Sequence, residues 1–447
     1  MSITQVLANY IYNIKYDQIP EQALDIAKKA INDFLGVAIA GRDMDGPVIL
    51  KDYILEQSGI PESSVPGYKF KTSALYSALL CGTMGHVLDY DDAASSMSGH
   101  AGAILVPVIW ALGDKYNITG KRALEAFIAG FEGASLVGLY LRPAKPNAGT
   151  WHKTKQLGVL GSTLAAAKII DLSEDQIRAA LGIASSLAGG LMRNFGTMMK
   201  SFHAGSAAHD GILAAMMAKK GFTANMDILE IEKGFRDVFL PEGGPTEDSI
   251  IALIKKGQWD ILTNGIMFKK YPSCGGTHKA IDTILDLVKK ENIKPDEVES
   301  IVIKTQAWIY NVAHITKPKT GLEGKFSIEF TVAAAVTDRC VRMSHFVDEN
   351  IQKFEPLMKK VIREAETEAS DSRRATLLAT VTLKDGRFFE HSLDTPRSIM
   401  PWDDLWEKYR ECMSPYFSQD IIDKSKDMIH SLEKYEQFQD LVSVFCD

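Results

Sequence analysis

The sequence predicts a mainly α-helical protein with a smaller α+β part, and three observations support this. Apolar residues recur at helical spacing from residue 1 to about 265. After about residue 266, VESIVIKTQ alternates with a period of two, and ATLLATVTLKDGRFFEHSL is typical of a hairpin turning at Asp385-Gly386. From Pro415 onward the pattern returns to amphipathic helix, so the C-terminus could pack back on the first part.

Helix start and stop signals follow in the expected order. Pro20 suits the first turn of a helix, because its missing N–H would have no intrahelical partner there, and Gly41 is a plausible stop. Ser173 with Gln176 forms a capping-box pattern, and Thr119 precedes another helical run. In the second part, GLEGKFSIEFTVAAAV and NIQKFEPLMKKVIREAETEAS are predicted to be helical.

Length and composition indicate a folded protein of more than one domain. At 447 residues the chain exceeds the size of a single hydrophobic core. A net charge of -7 without a long Lys/Arg run makes nucleic acid an unsuitable partner. The start resembles an amphipathic helix rather than a secretory leader, and no stretch of about 18 apolar residues predicts a membrane span. Five scattered cysteines without a CxxC pair indicate reduced thiols and a cytoplasmic protein.

Several common catalytic motifs are absent from the sequence. It contains no GxxxxGK[ST], no GxGxxG after a strand, no HExxH and no GxSxG in a strand-turn-helix context. Ionisable residues instead gather in four short segments rich in glycine and small residues, and six of the 10 histidines lie there. These segments are the candidates for a functional site.

The first segment, GHVLDYDDAASSMSGHAG, contains His86, Asp89, Asp91, Asp92 and His100. Three carboxylates in four residues repel one another when desolvated, so at least one should face water, a cation or a histidine. An acidic turn with a helix-capping Asp explains the same pattern, and the spacing alone favours it. His100 precedes an apolar helix and could act near an anion at its N-terminal end.

The second and third segments supply histidines and cations. His152 follows Trp151 in GTWHKTKQLG, where a general acid or base and a half-buried structural histidine are equally plausible. RNFGTMMKSFHAGSAAHDG carries Arg193, Lys200, His203 and His209. Such groups are costly to bring together unless an anion neutralises them, so a carboxylate-binding pocket is a reasonable interpretation beside a solvated basic surface.

The fourth segment, KKYPSCGGTHKA, contains Lys269, Lys270, Tyr271, Cys274 and His278. The Cys-His spacing of four could offer two metal ligands, but structural zinc needs four and no second pair is evident. A cysteine nucleophile paired with the histidine is also possible, although nothing else supports it. No metal site is therefore predicted.

These segments, in this order, resemble the motifs of the MmgE/PrpD family, which includes 2-methylcitrate dehydratase, cis-aconitate decarboxylase and iminodisuccinate epimerase. The similar stretches are HVLDYDD with a later Gly-His pair, WHxTxxxG, NFGTMxKxxHAGxAAxxG, KKYPSCxxTHxAID, TGLEGKFSIEF and the VTLKDGR hairpin. Together they span most of the chain. The resemblance is therefore more specific than any single segment.

The resemblance implies a large all-helical domain with a smaller α+β domain inserted as a lid, usually in a homodimer. We expect residues 1–265 plus 405–447 to form the large domain and residues 266–404 the lid. It also implies an active site in the cleft between domains and no metal or organic cofactor. The matching catalytic positions are Asp89, His100, His152, Lys200 and His278. The substrate-binding candidates are Arg193, His203, Lys270, Tyr271 and Lys325.

A small di- or tricarboxylic acid is the substrate class that such a site suits. Lys200, His100 and a lysine near 270 could clamp it and stabilise the enolate that forms on proton loss or decarboxylation. His152 or His278 would move the proton, and Asp89 would orient or tune one imidazole. A lyase is the first interpretation and an epimerase the second. A non-catalytic carboxylate-binding protein and a Cys-His metal protein complete the alternatives.

The chain departs from the family pattern in two places. After LDYDD the dehydratase- and decarboxylase-like members usually carry Thr and later a His-Pro pair, whereas Ala93 and His100-Ala101 stand here. Before Trp151 the chain has Lys145, Pro146 and Asn147 where relatives resemble one another in an aromatic residue. The substrate could therefore differ from those of known members.

Overall fold

A computed structural model describes residues 2–57, 59–143, 150–240, 243–365, 377–393 and 400–446. Its first part is nearly all helix, as predicted. The helices are α1 (Ile3–Asn13), α2 (Glu21–Gly41), α3 (Asp45–Glu56), α4 (Ala74–Val87), α5 (Ala101–Tyr116), α6 (Gly120–Tyr140), α7 (Lys153–Gln156), α8 (Gly158–Ile169), α9 (Glu174–Leu187), α10 (Met198–Lys219), α11 (Phe235–Phe239), α12 (Glu247–Lys255) and α13 (Asp260–Thr263). The two-residue strands are β1 (Ser63–Ser64), β2 (Lys71–Thr72), β3 (Ala93–Ala94) and β4 (Ile266–Met267).

The helix ends follow the sequence signals. Helix α2 begins directly after Pro20 and ends at Gly41. Ser173 and Gln176 form a complete capping box at α9, and Thr119 accepts a hydrogen bond from a first-turn N–H of α6. These caps satisfy backbone donors that have no partner within the helix. The stop at Gly41 and the caps at Ser173 and Thr119 are confirmed, whereas Pro20 is the N-cap residue of α2 rather than a residue of its first turn.

Small residues let α4 and α10 cross closely in the centre of the first part. A Cβ on Gly82 would lie 2.7 Å from Gly205 Cα, and one on Gly205 would lie 2.0 Å from Leu79 O. Only glycine fits these positions without moving a backbone. The crossing fixes the C-terminal end of α4, which leads to Asp89, relative to the first turn of α10, which carries Lys200.

The second part contains a four-stranded sheet covered by helices. Its elements are α14 (Gly275–Lys290), β5 (Val298–Thr305), α15 (Ala307–Val312), α16 (Gly321–Gly324), α17 (Ile328–Asp338), α18 (Glu349–Met358), β6 (Val361–Ala365), β7 (Leu378–Leu383) and β8 (Phe388–Ser392). The strand order is β6-β5-β7-β8, with β5 parallel to β6 and antiparallel to β7. The predicted hairpin joins β7 to β8, with Gly386 at φ 89°.

Two predicted helices differ from the structure. The first is interrupted between α16 and α17, at residues 325–327, and the interruption places Lys325 at the end of α16. In the second, α18 ends at Met358 and residues from Val361 form β6. Val361 and Ile362 favour a strand, and pairing with β5 outweighs the helical pattern of the charged residues. Residues 366–370 of that prediction lie outside the described residues.

The last helices return to the first part of the chain. They are α19 (Trp402–Met413), α20 (Gln419–His430) and α21 (Gln439–Cys446). The main apolar core contains residues from Ile3 to Phe268 and again from Leu405 to Phe445. A separate core contains residues from Tyr271 to Leu383. The mainly α fold class with a small sheet-containing part is confirmed, whereas the exact domain boundaries stay a prediction.

Helix α6 is long and apolar enough to cross a membrane by length and composition, which the sequence analysis did not predict. However, 94% of its most apolar 18-residue stretch is buried inside the fold. Within α6, Glu132 accepts the backbone N–H groups of Asp260 and Ile261 at 2.9 and 3.0 Å. A buried carboxylate held by other elements of the chain is typical of a core helix. A cytoplasmic location stays a prediction.

Candidate active site

The acidic segment leaves α4 through an unusual turn. Helix α4 ends at Val87, and Asp89 has a left-handed φ of 52°, which Asp tolerates better than most residues. Strand β3 then pairs antiparallel with β4, with Ala93 opposite Met267. This pairing brings the chain just after β4 beside the acidic segment. It therefore joins the first and fourth segments singled out in the sequence.

Two lysines share one oxygen of Asp89. Lys200 Nζ and Lys269 Nζ each lie 2.7 Å from Asp89 Oδ1, and Lys269 also donates to Asp89 O at 2.9 Å. Burial alone would raise the pKa of Asp89, but the two ammonium groups hold it well below its usual value. Burial opposes the charge of Lys269 as well, yet Asp89 raises its pKa. The charged forms of Asp89 and Lys269 are thus stabilised in the protein interior.

Two histidines contact Asp91. Its Oδ2 lies 2.8 Å from His86 Nδ1 and 3.2 Å from His100 Nδ1, and the two rings meet edge to face. Burial lowers the pKa of His86 to about 3 and also lowers that of His100, against the charge of Asp91. Burial would raise the pKa of Asp91, but the two histidines hold it well below its usual value.

Asp92 takes the capping role that the sequence analysis favoured for this segment. Its two carboxylate oxygens lie 2.9 and 3.1 Å from Gly102 N, in the first turn of α5. Burial and the nearby charges of Asp91 and Asp33 raise its pKa well above the usual value. The three carboxylates therefore have different partners. Asp89 contacts two lysines, Asp91 contacts two histidines, and Asp92 caps helix α5.

His152 and His203 form a direct pair. Their Nδ1 atoms are 3.0 Å apart, so in a neutral pair one Nδ1 carries a proton and donates it to the other. The His152 ring also packs edge-on against Phe195 and stacks at 5.8 Å on His86. Burial and the charge of Lys200 lower the pKa of His152 well below its usual value, and burial lowers that of His203 to about 4.

The fourth segment divides into an inward and an outward side. Lys269 is buried at Asp89, whereas Lys270 has a side chain that is 63% exposed and pairs with Asp282 at 2.9 Å. Tyr271 donates its hydroxyl to the same Asp282 at 2.6 Å. His278 packs edge-on against Tyr271, and burial lowers its pKa to about 4.

Lys325 reaches the site from the second part of the chain. Its Nζ donates to Leu88 O at 2.6 Å, directly before Asp89, and lies 3.4 Å from Pro272 O. Burial lowers the pKa of Lys325 to about 7, although the charge of Asp89 opposes this. This lysine therefore connects the two parts of the chain at the acidic segment.

The structure brings some of the predicted residues together and separates others. One buried group contains or directly adjoins Asp89, His100, His152, Lys200, His203 and Lys325. His278 lies close to Lys269, whose charge helps to lower the pKa of this histidine. Arg193 is exposed, and its charge, together with burial, lowers the pKa of His314. Lys270 and Tyr271 both form hydrogen bonds with Asp282. The prediction on residues 145–147 lies outside the described residues.

The structure describes two of the positions at which the sequence departs from the family pattern. Ala93 lies in β3, and Ala101 is the buried first residue of α5. Three further residues of the buried group were not predicted as site residues, namely His86, Asp91 and Lys269. For Lys269 the only hint was the lysine pair itself, since the β3–β4 register decides which of the two lysines faces inward.

One group of side chains in the described ranges could in principle hold a metal ion. His86, Asp89, Asp91 and His100 each offer a ligand atom, and these atoms lie within 4.8 Å of one another. However, two ammonium groups already lie 2.7 Å from Asp89 Oδ1 and balance the acidic charge. The donor set therefore fits a lysine-neutralised site better than a metal centre. Cys274 and His278 do not belong to this group.

Comparison with known proteins identifies the family. Residues 5–248 match the MmgE/PrpD N-terminal domain and residues 271–434 match the MmgE/PrpD C-terminal domain. Cis-aconitate decarboxylase from Homo sapiens is 28% identical, covering 97% of this chain and 92% of the relative. Cis-aconitate decarboxylase from Aspergillus terreus is 24% identical, covering 99% and 95%. The chain belongs to the MmgE/PrpD family and is a lyase of that family.

Proposed function

We propose that the protein is a cofactor-independent decarboxylase of a small unsaturated tricarboxylic acid of the cis-aconitate type. The observation that carries the proposal is the pair of buried ammonium groups on Asp89, beside a set of histidines whose pKa values are lowered. The relatives named above are cis-aconitate decarboxylases and align over nearly their whole length. The site and the relatives therefore support the same chemistry.

Lys200 is the group best placed to hold a substrate carboxylate. An ammonium has three N–H donors, and among the described residues its one hydrogen-bond acceptor is Asp89. The ammonium also lies 5.6 and 5.4 Å from the ring centres of Phe195 and Phe326. Aromatic walls exclude water, so a hydrogen bond from Lys200 to a substrate carboxylate is stronger there than in solvent.

Decarboxylation would use this arrangement in one balanced sequence. The bond between carbon and the departing carboxylate breaks, CO2 leaves, and the electron pair shifts through the C=C bond toward a carbon next to a retained carboxylate. Lys200 stabilises the enolate-like charge that grows on that carboxylate, which lowers the barrier selectively. The carbon then takes one proton, so each turnover consumes one proton from the enzyme.

His152 is the proposed proton donor. Its Nδ1 is engaged with His203, so Nε2 is the nitrogen that can reach a substrate. Burial and the positive charge of Lys200 lower the pKa of His152 in the free protein. A bound trianion reverses the sign of the nearby charge and therefore raises this pKa again. Substrate binding would thus load the proton that the reaction needs.

Dehydration and epimerisation stay alternatives, because the same groups can remove or return a proton next to a carboxylate. Ala93 favours epimerisation, because it supplies no hydroxyl where both dehydratase- and decarboxylase-like members usually have Thr. A non-catalytic carboxylate-binding protein is the third possibility. A homodimer and a cytoplasmic location are likewise proposed on the family resemblance and not on contacts within this chain.

The test is to incubate purified protein with cis-aconitate, citrate, 2-methylcitrate and iminodisuccinate in deuterated water and to follow the NMR spectra. We expect cis-aconitate to disappear and an unsaturated dicarboxylate carrying one deuterium to form. His152→Gln should slow this by about 100-fold or more, the usual contribution of a general acid. Water loss from citrate or 2-methylcitrate, or α-deuteration of iminodisuccinate alone, would replace the decarboxylase by the corresponding alternative.

A further inference from the structure

A lysine of the C-terminal helices reaches the back of the proposed active site. Lys408 lies on α19 and is buried. Its Nζ donates to Tyr90 O at 2.7 Å and to Lys269 O at 3.0 Å, and it lies 2.6 Å from Asp33 Oδ1 on α2. This ammonium thus donates hydrogen bonds to two backbone carbonyls and forms an ion pair with Asp33, and the three oxygens belong to three different segments.

The packing of α19 against α2 explains how Lys408 comes to this place. A Cβ on Gly36 would lie 2.9 Å from Tyr409 Cδ2, so glycine at this position lets α19 approach α2 closely. Asp33 precedes Gly36 by three residues and therefore lies on the same face of α2. The approach puts Lys408 next to Asp33 and points its ammonium at the acidic segment.

The two carbonyls that Lys408 holds flank the charged residues of the site. Tyr90 lies between Asp89 and Asp91, and the second carbonyl belongs to Lys269, whose side chain contacts Asp89. One ammonium therefore fixes the backbone on both sides of the Asp89–Lys269 contact. The Tyr90 ring, whose centre is 4.0 Å from Lys408 Nζ, adds a cation–π contact to the same arrangement.

Asp33 neutralises Lys408. Burial raises the pKa of Asp33, and the charge of Lys408 opposes this. A buried ion pair costs desolvation free energy and often adds little net stability. The Lys408–Asp33 ion pair instead holds the backbone in place, because it gives two backbone carbonyls a charged hydrogen-bond donor that an apolar pair could not supply.

We propose that Lys408 is a positioning residue that holds the Tyr90 and Lys269 carbonyls so that Lys269 and Asp89 keep their mutual geometry. Asp33 serves as its counter-ion. The effect on catalysis rests on the proposed function, whereas the effect on the backbone does not. The C-terminal helices are therefore a part of the active site and not only a cover of the apolar core.

The test compares Lys408→Met, Asp33→Asn and the double variant Lys408→Met/Asp33→Asn in the full-length protein. A structural role alone predicts that the double variant recovers both folding and activity, because no buried charge is left unpaired. The positioning role predicts that the double variant recovers the urea midpoint of unfolding but keeps kcat at least 30-fold below wild type. Asp33→Asn alone should lower kcat less than fivefold, because it leaves both carbonyl contacts in place.

Recovery of kcat to within threefold of wild type in the double variant would overturn the proposal. A decrease in kcat in Asp33→Asn as large as the decrease in Lys408→Met would also overturn it. Amide hydrogen exchange gives a readout that needs no turnover and decides the matter even where Lys408→Met loses stability. Exchange in residues 88–92 and 267–270 should be at least tenfold faster in Lys408→Met than in Asp33→Asn, and equal rates would contradict the inference.

A wild-type protein that converts none of the tested acids would defeat the proposed function alone. The hydrogen-exchange comparison would still test the positioning role in that case. The two failures are therefore distinguishable.

Discussion

Asp89 and Lys269 are 180 residues apart in the chain, yet Asp89 Oδ1 and Lys269 Nζ lie 2.7 Å apart in the folded protein. Lys200 contacts the same oxygen from α10 at the same distance. Three buried charges from three segments thus form one unit. Their stability and their chemistry can be tested separately.

Asp89→Asn should destabilise the protein strongly. The substitution leaves two buried ammonium groups without their counter-charge, and breaking such a contact typically costs about 3–5 kcal/mol. Urea unfolding at pH 7 measures the loss. Asp282→Asn is the matched control, because its charged partner Lys270 is largely exposed, such pairs contribute about 1 kcal/mol or less, and the Asn side-chain oxygen can still accept from the Tyr271 hydroxyl. Similar losses in both variants would mean that the Asp89 group is solvated rather than buried.

Lys269→Met and Lys270→Met should affect activity very differently, although the lysines are neighbours in sequence. Lys269 is buried in the charged unit, and loss of a charge-stabilising donor commonly lowers the rate by about 100-fold to 1000-fold. Lys270 is exposed and should change the rate by less than about threefold. Initial rates with cis-aconitate, on variants with wild-type circular dichroism, provide the comparison. A larger loss in Lys270→Met would assign the site to Lys270, and equal losses would contradict a special role of the buried Lys269.

Lys325 should make the stability depend on pH in the alkaline range. Its pKa in the folded protein is about 7, below the usual lysine value of 10.5, because burial penalises the charged form. Between these values the unfolded chain binds one more proton, so the stability contributed at this position rises with pH by about 1 kcal/mol per unit. The difference in unfolding free energy between wild type and Lys325→Met, measured from pH 7.5 to 9.5, should show this slope. A pH-independent difference would contradict it.

Metal removal should leave the activity unchanged. Lys200 and Lys269 balance the charge of Asp89. A divalent ion bound by Asp89, His86, Asp91 and His100 would therefore be repelled by two nearby ammonium groups. Dialysis against EDTA, followed by elemental analysis and an assay, tests this. One equivalent of bound metal, with activity lost on chelation and restored by that metal, would instead support a metal centre.

Local patterns predicted much of the fold. Caps at Ser173 and Thr119, the period of two in β5 and the Asp385-Gly386 hairpin all depend on neighbouring residues, so the sequence reveals them directly. Strand β6 was missed because its identity depends on pairing with β5, some 60 residues earlier. A charged amphipathic pattern cannot show that partner.

The site was predictable in part for the same reason. The motif resemblance pointed to Asp89, His152 and Lys200, all of which lie in the buried group. It named Lys270 as a substrate-binding candidate, whereas the lysine buried at Asp89 is its neighbour Lys269, because the β3–β4 register decides which side chain faces inward. Lys408 carried no sequence signal, since its contact with the acidic segment depends on how α19 packs on α2.

The measurement that tests the central claim most directly is CO2 release from cis-aconitate by wild type and by Lys200→Met, with the product followed by NMR in deuterated water. We expect wild type to release one CO2 for each molecule of unsaturated dicarboxylate formed, and Lys200→Met to be at least about 100-fold slower while remaining folded. No CO2 from wild type, or equal rates in both proteins, would contradict a decarboxylase built on the buried Asp89–Lys200–Lys269 unit.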